Sequence, residues 1–189
     1  MTKKYQWLVL VLAAILFVGL ITNSIFPNKA PNLKVSSTTG EAMMIYDKNY
    51  KFTIINFWAT DCPGCIKEMP NLADTYNKYK NQGIQIIAIS MSYDPPNQVL
   101  NFIKKNNIPF PVVIDADNKI AQQFENIRLT PTSILINQKG QIIDQIVGEI
   151  DFNKLETTLS KNLQLTSPSR FKKLSYILTY FNWLNFIGI

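Results

Sequence analysis

Histidine is absent from the 189-residue sequence, and cysteine occurs only twice. Without histidine there is no imidazole for acid–base catalysis, for a Ser-His or Cys-His nucleophile, or for ligation of zinc, copper or haem. Two cysteines are too few for a zinc site made of cysteine alone. Thiols, carboxylates, hydroxyls and backbone groups remain as the catalytic groups, and we expect no metal and no cofactor.

Acidic residues are absent from both ends of the chain. All thirteen Asp and Glu lie within residues 35–160, together with eleven of the nineteen Lys and Arg, so the net charge of +6 comes from the flanks. The flanking basic residues are Lys3, Lys4, Lys29, Lys34, Lys161, Arg170, Lys172 and Lys173. Basic residues beside apolar stretches are attracted to anionic lipid head groups. The charge distribution therefore indicates membrane lipid as a partner, and no nucleic acid.

The N-terminal segment predicts a single-pass membrane anchor over residues 1–26. Trp7 to Ile21 is an apolar run, and neighbouring residues extend it to about the ~20 residues that a bilayer requires. A cleaved signal peptide is the alternative, but a good small-residue cleavage site is missing. Residues 27–32 read as a linker. A short N-terminal tail before a single anchor usually stays inside, which would place the domain outside the cytoplasmic membrane.

Residues 33–165 predict one α/β domain. A hairpin over residues 33–46 precedes alternating strand and helix signals, and the order βαβαβα, then ββ and a last helix, predicts a mixed sheet with helices on both faces. The predicted strands after the hairpin are residues 52–58, 84–90, 111–115, 133–136 and 141–147. The predicted helices are residues 62–79, 97–106, 118–124 and a last one that is capped by Asp151 and ends near Leu163.

Cys62-Pro63-Gly64-Cys65 is the motif that carries chemistry. A C-x-x-C pair at the start of a helix is typical of a redox dithiol, because the helix N-terminus stabilises the thiolate of the first cysteine. Cys62 would attack a disulfide, and Cys65 would resolve the mixed disulfide. Half a zinc site would need two further ligands that this sequence does not supply. Two buried structural cysteines are the other alternative.

The motifs around this pair resemble the TlpA/ResA/CcmG branch of the thioredoxin superfamily. They are Asn56-Phe57-Trp58-Ala59-Thr60, Cys62-Pro63-Gly64-Cys65, Lys67-Glu68-Met69-Pro70, Asp94, Pro109-Phe110-Pro111-Val112, Thr130-Pro131-Thr132-Ser133 and Asn137-Gln138-Lys139-Gly140 with Gly148. The resemblance covers about residues 31–160. It implies a thioredoxin-like fold, a membrane anchor, and reduction of disulfides in extracytoplasmic proteins, often apocytochrome c. The electrons would come from a membrane thiol relay of the DsbD/CcdA type.

The same resemblance implies roles for residues outside the dithiol. Thr130-Pro131 would be a cis-proline loop facing the cysteines; an ordinary trans proline is the alternative. Glu68 would assist proton transfer during exchange, as an acidic residue does in similar proteins, although a solvated helix carboxylate is also compatible with the sequence. Trp58, Pro63 and Gly64 would support the site as parts of its motifs.

Asp61 departs from the pattern of this branch, which usually has an aromatic residue before the first cysteine. A carboxylate beside the attacking sulfur disfavours the thiolate. We expect a weaker oxidant than the helix alone would produce, which suits a reductant. The same residue could alter the groove that receives the substrate. A disulfide oxidase or isomerase, or a metal-binding or sensing module on the same fold, are the competing functions.

The C-terminal tail, residues 166–189, is basic and then aromatic, and the resemblance does not explain it. Its last sixteen residues would span about 24 Å as a helix, short of the ~30 Å hydrocarbon core of a bilayer. An interfacial helix is the favoured interpretation. A strap on the domain, a second short membrane segment and a partner-binding helix are the alternatives.

Overall fold

The computed structural model describes residues 9–17 and 29–165 of the chain. Residues 9–17 are helical (α1) and exposed. They are the only described part of the predicted anchor, and the predicted tail, residues 166–189, lies outside the described residues. Over the two described ranges, no helix combines the length and the apolar character that crossing a membrane would require.

The elements of residues 29–165 follow the predicted order. The strands are β1 (Lys34–Ser36), β2 (Ala42–Met44), β3 (Phe52–Trp58), β4 (Ile84–Ser90), β5 (Val112–Ile114), β6 (Thr132–Asn137) and β7 (Ile142–Val147). The helices are α2 (Pro63–Tyr79), α3 (Pro96–Asn106), α4 (Lys119–Gln123) and α5 (Phe152–Leu165), with a 3-10 turn at Lys80–Gln82. The hairpin, the buried strands and the helices predicted from apolar patterning are therefore confirmed, with bounds that shift by one or two residues.

A five-stranded mixed sheet of order β5-β4-β3-β6-β7 forms the centre of the domain. Strands β3, β4 and β5 are parallel, β6 is antiparallel to β3, and β7 is antiparallel to β6. Phe52 is paired with Ile84 on one side and with Asn137 on the other. At one end of the sheet, β3 and β4 begin and β6 ends. At the other end, β3 and β4 end and β6 begins.

Both faces of the sheet are covered, which explains why β3 and β4 are buried along their whole length. On one face, Ile54, Trp58 and Ile86 pack with residues of α2, α3 and α5. On the other face, Ile55 and Phe57 pack with residues of the hairpin and α4. Continuous apolar runs are the sequence signature of such two-sided burial. The predicted fold class, a mixed sheet with helices on both faces, is confirmed.

The domain begins earlier than the predicted boundary, within the segment interpreted as a linker (residues 27–32). Lys29 forms an antiparallel bridge with Gln141, and the N–H of Ala30 donates to the carbonyl of Gly140 at 2.9 Å. Ala30 is buried. Sequence patterning did not reveal this attachment, because a single bridge of two residues leaves no periodic apolar signal.

Candidate active site

The two cysteines lie at the end of the sheet where β3 and β4 finish, and they form a disulfide. Cys62 is the N-cap of α2, and its sulfur accepts a hydrogen bond from the backbone N–H of Cys65 at 3.2 Å. Cys62 is half-buried, whereas Cys65 is 0% exposed. Of the two sulfurs, that of Cys62 is thus the one a partner can approach, as the sequence predicts.

Local sequence explains why the helix begins there. Pro63 occupies the first helical turn, where the missing N–H of proline costs no hydrogen bond and its fixed φ suits the helix. The carbonyl of Cys62 accepts from the N–H of Ile66 at 3.1 Å, which starts the helical ladder. The positive end of the helix macrodipole points at Cys62 and favours its thiolate in the reduced protein.

A second contact fixes the loop between β3 and α2. Asp94, in the loop after β4, is 3% exposed. One of its carboxylate oxygens accepts from the backbone N–H of Thr60 at 2.7 Å, and the other accepts from the hydroxyl of Thr60. The carboxylate therefore ties together the loops that follow two neighbouring parallel strands. Asp94 stood out in the sequence only as one element of the resemblance, and the structure provides its positioning role.

Pro131 lies against the dithiol loop. The Thr130-Pro131 peptide bond is cis, which confirms the prediction and rules out the trans alternative. A Cβ on Gly64 would come within 3.6 Å of Cδ of Pro131, so the proline ring lies beside the turn that joins the cysteines. The carbonyl of Pro131 accepts from the N–H of Gly148 at 2.8 Å, which holds the loop to the end of β7.

Glu68, one helical turn after Cys65, is 2% exposed, so its interpretation as a solvated carboxylate is wrong. One carboxylate oxygen accepts from the side-chain N–H of Asn56 at 2.8 Å, and the other from the backbone N–H of Ile150 at 3.2 Å. Burial raises the pKa of Glu68 above its ordinary value, the two hydrogen bonds act in the opposite direction, and the charge of Glu149 adds to the rise. A buried carboxyl with a raised pKa is suited to exchange a proton.

Asn56 and Ser133 complete this polar cluster, and sequence reasoning missed the role of both. The Asn56 amide donates to Glu68 and also to the hydroxyl of Ser133 at 2.9 Å, across the β3–β6 pairing. Its own oxygen is buried without a hydrogen-bond partner among the described residues. A signal was available: Asn56 is the one amide in the buried run FTIINFW, and a buried amide needs a polar partner.

The remaining predicted site residues differ in exposure. Asp61 is exposed directly before Cys62. Trp58 is fully buried under the site, and its ring lies 5.1 Å from that of Phe102. Trp58 therefore acts through the packing beneath the dithiol loop and not by contact with a substrate.

Exposed apolar side chains come from the loops and strand end next to the cis-proline. Tyr93 is 54% exposed and Leu129 is 65% exposed. The hydroxyls of Tyr93 and Thr130 lie 3.4 Å apart, so the loop after β4 reaches the loop that carries Pro131. Val147, paired with Thr132, is also exposed. These three side chains form an exposed apolar rim beside the loop that carries Pro131.

Residues 27–159 match the Redoxin family. The chain is 37% identical over 133 residues to the thiol-disulfide oxidoreductase ResA of Bacillus cereus, a match that covers 70% of this chain and 76% of that protein. The solution structure of a proposed thioredoxin from Neisseria meningitidis is similar with a TM-score of 0.68 and 37% identity, over 74% of this chain and 93% of the other. The crystal structure of StoA from Bacillus subtilis is similar with a TM-score of 0.61 and 28% identity, over 69% of this chain and 98% of the other.

Proposed function

Since this chain belongs to the Redoxin family and is a thiol–disulfide oxidoreductase with a thioredoxin-like fold, we propose that it reduces disulfides of proteins outside the cytoplasmic membrane, to which its N-terminal segment anchors it. Apocytochrome c is the proposed substrate. The observation that carries the proposal is the unequal exposure of the two sulfurs above a buried carboxyl group.

The reaction is two successive thiol–disulfide exchanges. The Cys62 thiolate attacks one sulfur of the substrate disulfide; a bond forms between Cys62 and that sulfur, and the other substrate sulfur leaves as a thiolate. Cys65, as thiolate, then attacks Cys62. The protein disulfide forms, the second substrate sulfur leaves, and two electrons have passed to the substrate. The oxidised pair is the state in this structure.

Glu68 takes the proton that Cys65 must lose in this proposal. The two residues are three apart on α2, so they occupy the same side of the helix, and both are buried. A buried thiol ionises poorly, because burial disfavours its charged form. A nearby carboxylate that can accept a proton lowers this barrier, and general-base assistance typically contributes about 10²–10⁴ in rate.

The direction of electron flow is supported by charge at the dithiol. Asp61 directly precedes Cys62 and is exposed. Negative charge beside a sulfur disfavours its thiolate, and a poorly stabilised reduced form makes a dithiol a better reductant. The reduced pair would be regenerated by a membrane thiol relay of the DsbD/CcdA type, as the family resemblance implies.

The reduction potential tests the direction. We expect a value well below the about −180 mV of protein disulfide isomerase when the full-length protein equilibrates with dithiothreitol buffers of known ratio. A value close to the about −120 mV of DsbA would overturn the reductase proposal in favour of an oxidase. Incubation of the reduced protein with oxidised apocytochrome c, read by thiol labelling, tests the substrate.

A further inference from the structure

Four short segments meet at the end of the sheet farthest from the disulfide. They are residues 29–30, 47–51, 80–83 and 137–141. Hydrogen bonds join them: the Lys51 N–H donates to the carbonyl of Gly83 at 2.7 Å, and the side chain of Gln138 donates to the carbonyl of Lys48 at 2.6 Å. The contact of Ala30 with Gly140 adds the start of the domain. These segments therefore form one continuous surface.

This surface is basic. Its charged residues are Lys29, Lys48, Lys51, Lys80 and Lys139, against the single acid Asp47. All of these lysines except the half-buried Lys51 are exposed. Across the described ranges, none of the five takes part in an ion pair. We call this surface the lysine end of the domain.

The first and last residues of the domain both lie at the lysine end. Lys29, where the second described range begins, belongs to the lysine end itself. At the other terminus, α5 runs alongside α2 in the same direction. Two ion pairs show this: Lys67, near the start of α2, pairs with Glu149, just before α5, and Lys78, near the end of α2, pairs with Glu156 in α5. Helix α2 ends at the lysine end, so the end of α5 at residue 165 also lies there.

The segments beyond these two points are those with lipid-directed sequence. The apolar run of residues 7–21 precedes Lys29, and the basic residues Arg170, Lys172 and Lys173 with an aromatic stretch follow α5. A bilayer that holds the chain through residues 1–26 is separated from Lys29 by residues 27–28 alone. Extended, the three steps from residue 26 to residue 29 reach at most about 11 Å.

We propose that the lysine end lies against the anionic lipid surface of the membrane that anchors the chain, so that the disulfide faces away from the bilayer. The proposal rests on the anchor in the proposed function and names the face of the domain that meets lipid. Lysines near an anionic leaflet are attracted within about a Debye length, about 8–10 Å, and the short connection keeps Lys29 within about this distance of the bilayer surface. The seven residues of β3 then separate the lysine end from the dithiol by about 23 Å.

Hydrogen–deuterium exchange of the full-length protein tests this proposal in vesicles of phosphatidylcholine, with and without phosphatidylglycerol. We expect backbone amides of residues 47–51 and 137–141 to exchange at least about threefold more slowly on the anionic vesicles. Residues 115–118, at the disulfide end, should exchange equally on both. A variant with Lys48→Gln, Lys80→Gln and Lys139→Gln should lose the difference.

A matched variant with Lys67→Gln, Lys119→Gln and Lys154→Gln removes the same charge from exposed positions near the starts of α2, α4 and α5, at the disulfide end, and should keep the difference. Equal exchange on both vesicle types, or slowing at residues 115–118 instead, would overturn the proposal while leaving the anchor intact. If the wild-type protein did not sediment with phosphatidylcholine vesicles at all, the anchor and this proposal would fall together.

Discussion

The two ends of the central sheet have opposite chemistry. The end that carries the disulfide has acidic loops, which contain Asp61, Asp94, Asp115, Asp117, Glu125, Glu149 and Asp151 against the single base Arg128. The opposite end has five lysines against one aspartate. Carboxylates at the disulfide end accept hydrogen bonds from backbone N–H groups: that of Asp94 accepts from Thr60, and that of Asp115 accepts from Ile120 and Ala121. The lysine end is joined mainly by bonds to backbone carbonyls.

This difference separates two tasks. At the disulfide end, loops that follow parallel strands must be held in place by side chains, because no sheet ladder continues there. At the lysine end, tight turns close the strands through backbone bonds, and the lysine side chains remain exposed. Substitutions at the disulfide end should therefore alter the disulfide chemistry more than the stability of the fold. Substitutions in the turns of the lysine end should alter stability more than chemistry.

The largest expected effect is that of the cysteines. Cys62→Ser should abolish disulfide reduction, because it removes the accessible nucleophile. Cys65→Ser should still attack but fail to resolve, and so accumulate a mixed disulfide with its substrate. Each variant is incubated with a disulfide-bonded model protein and examined by non-reducing gel and mass analysis. Trapping by Cys62→Ser and not by Cys65→Ser would reverse the assigned roles.

Two glycines test this difference between the ends of the sheet: Gly140 at the lysine end and Gly64 at the disulfide end. Gly140 has φ +76°, and a Cβ there would overlap the ring of Tyr46. Gly140→Ala should lower the free energy of unfolding by about 2–4 kcal/mol, from backbone strain and overlap. At Gly64 a Cβ would meet its nearest neighbours at 3.4–3.6 Å, so Gly64→Ala should stabilise by up to about 1 kcal/mol.

Denaturant unfolding of both glycine variants, with the disulfide intact, measures these changes. The activity of Gly140→Ala should stay near that of the wild type at temperatures where it is folded. A stable, inactive Gly140→Ala protein would contradict the separation of tasks between the two ends.

Glu68→Gln should slow substrate reduction by about tenfold or more at neutral pH, because the proton acceptor is lost. It should also change the pH dependence of stability. The folded-state pKa of Glu68 is raised above its ordinary value of 4.5, so between these two values the folded protein binds more protons than the unfolded chain. Stability that Glu68 contributes is then complete below about pH 4.5 and is lost as pH rises through the folded-state pKa.

Comparison of oxidised wild type and Glu68→Gln across pH 4 to 8 isolates this contribution, since other carboxyl groups are common to both. Asn56→Ala removes a hydrogen bond that favours the ionised form, and it should extend the window of falling stability to higher pH. Parallel stability profiles for wild type and Glu68→Gln would mean that Glu68 titrates normally.

The smallest expected effect is at Asp61. Asp61→Asn removes a charge beside Cys62 and keeps the shape, and Asp61→Trp restores the aromatic residue usual in this branch. Both should raise the thiolate fraction of Cys62, by no more than about fivefold, because the carboxylate is exposed and water screens it. Thiolate absorbance against pH measures the fraction, and the effect should shrink in high salt. A lower thiolate fraction in Asp61→Asn would mean that this carboxylate does not oppose ionisation.

Sequence reasoning succeeded where a signal is local. The bounds of β3 and β4 follow from two apolar runs, the start of α2 follows from Cys62 and Pro63, and Asp151 caps α5 by accepting from the N–H groups of Asn153 and Lys154. Thr130-Pro131 was recognised by resemblance and not by physical reasoning, because a proline alone does not reveal its isomer.

The attachment of residues 29–30 and the role of Asn56 were not predicted. The first depends on one bridge to a turn more than a hundred residues later. The role of Asn56 depends on its being buried next to Glu68 and Ser133, and an amide within an apolar run does not identify those partners.

Four features follow from the amino-acid sequence without knowledge of the fold: the dithiol, the helix that begins at it, the order of the elements and the concentration of basic residues in the flanks. Each of them depends on neighbours along the chain. Tertiary structure alone decided the environment of Glu68. Its partners are 12 residues away at Asn56 and 82 away at Ile150, and its loss of water depends on the packing of α2 against the sheet. Tertiary structure also brought both ends of the domain to the lysine end, because α5 begins where β7 ends, at the disulfide end, and packs in the same core as α2.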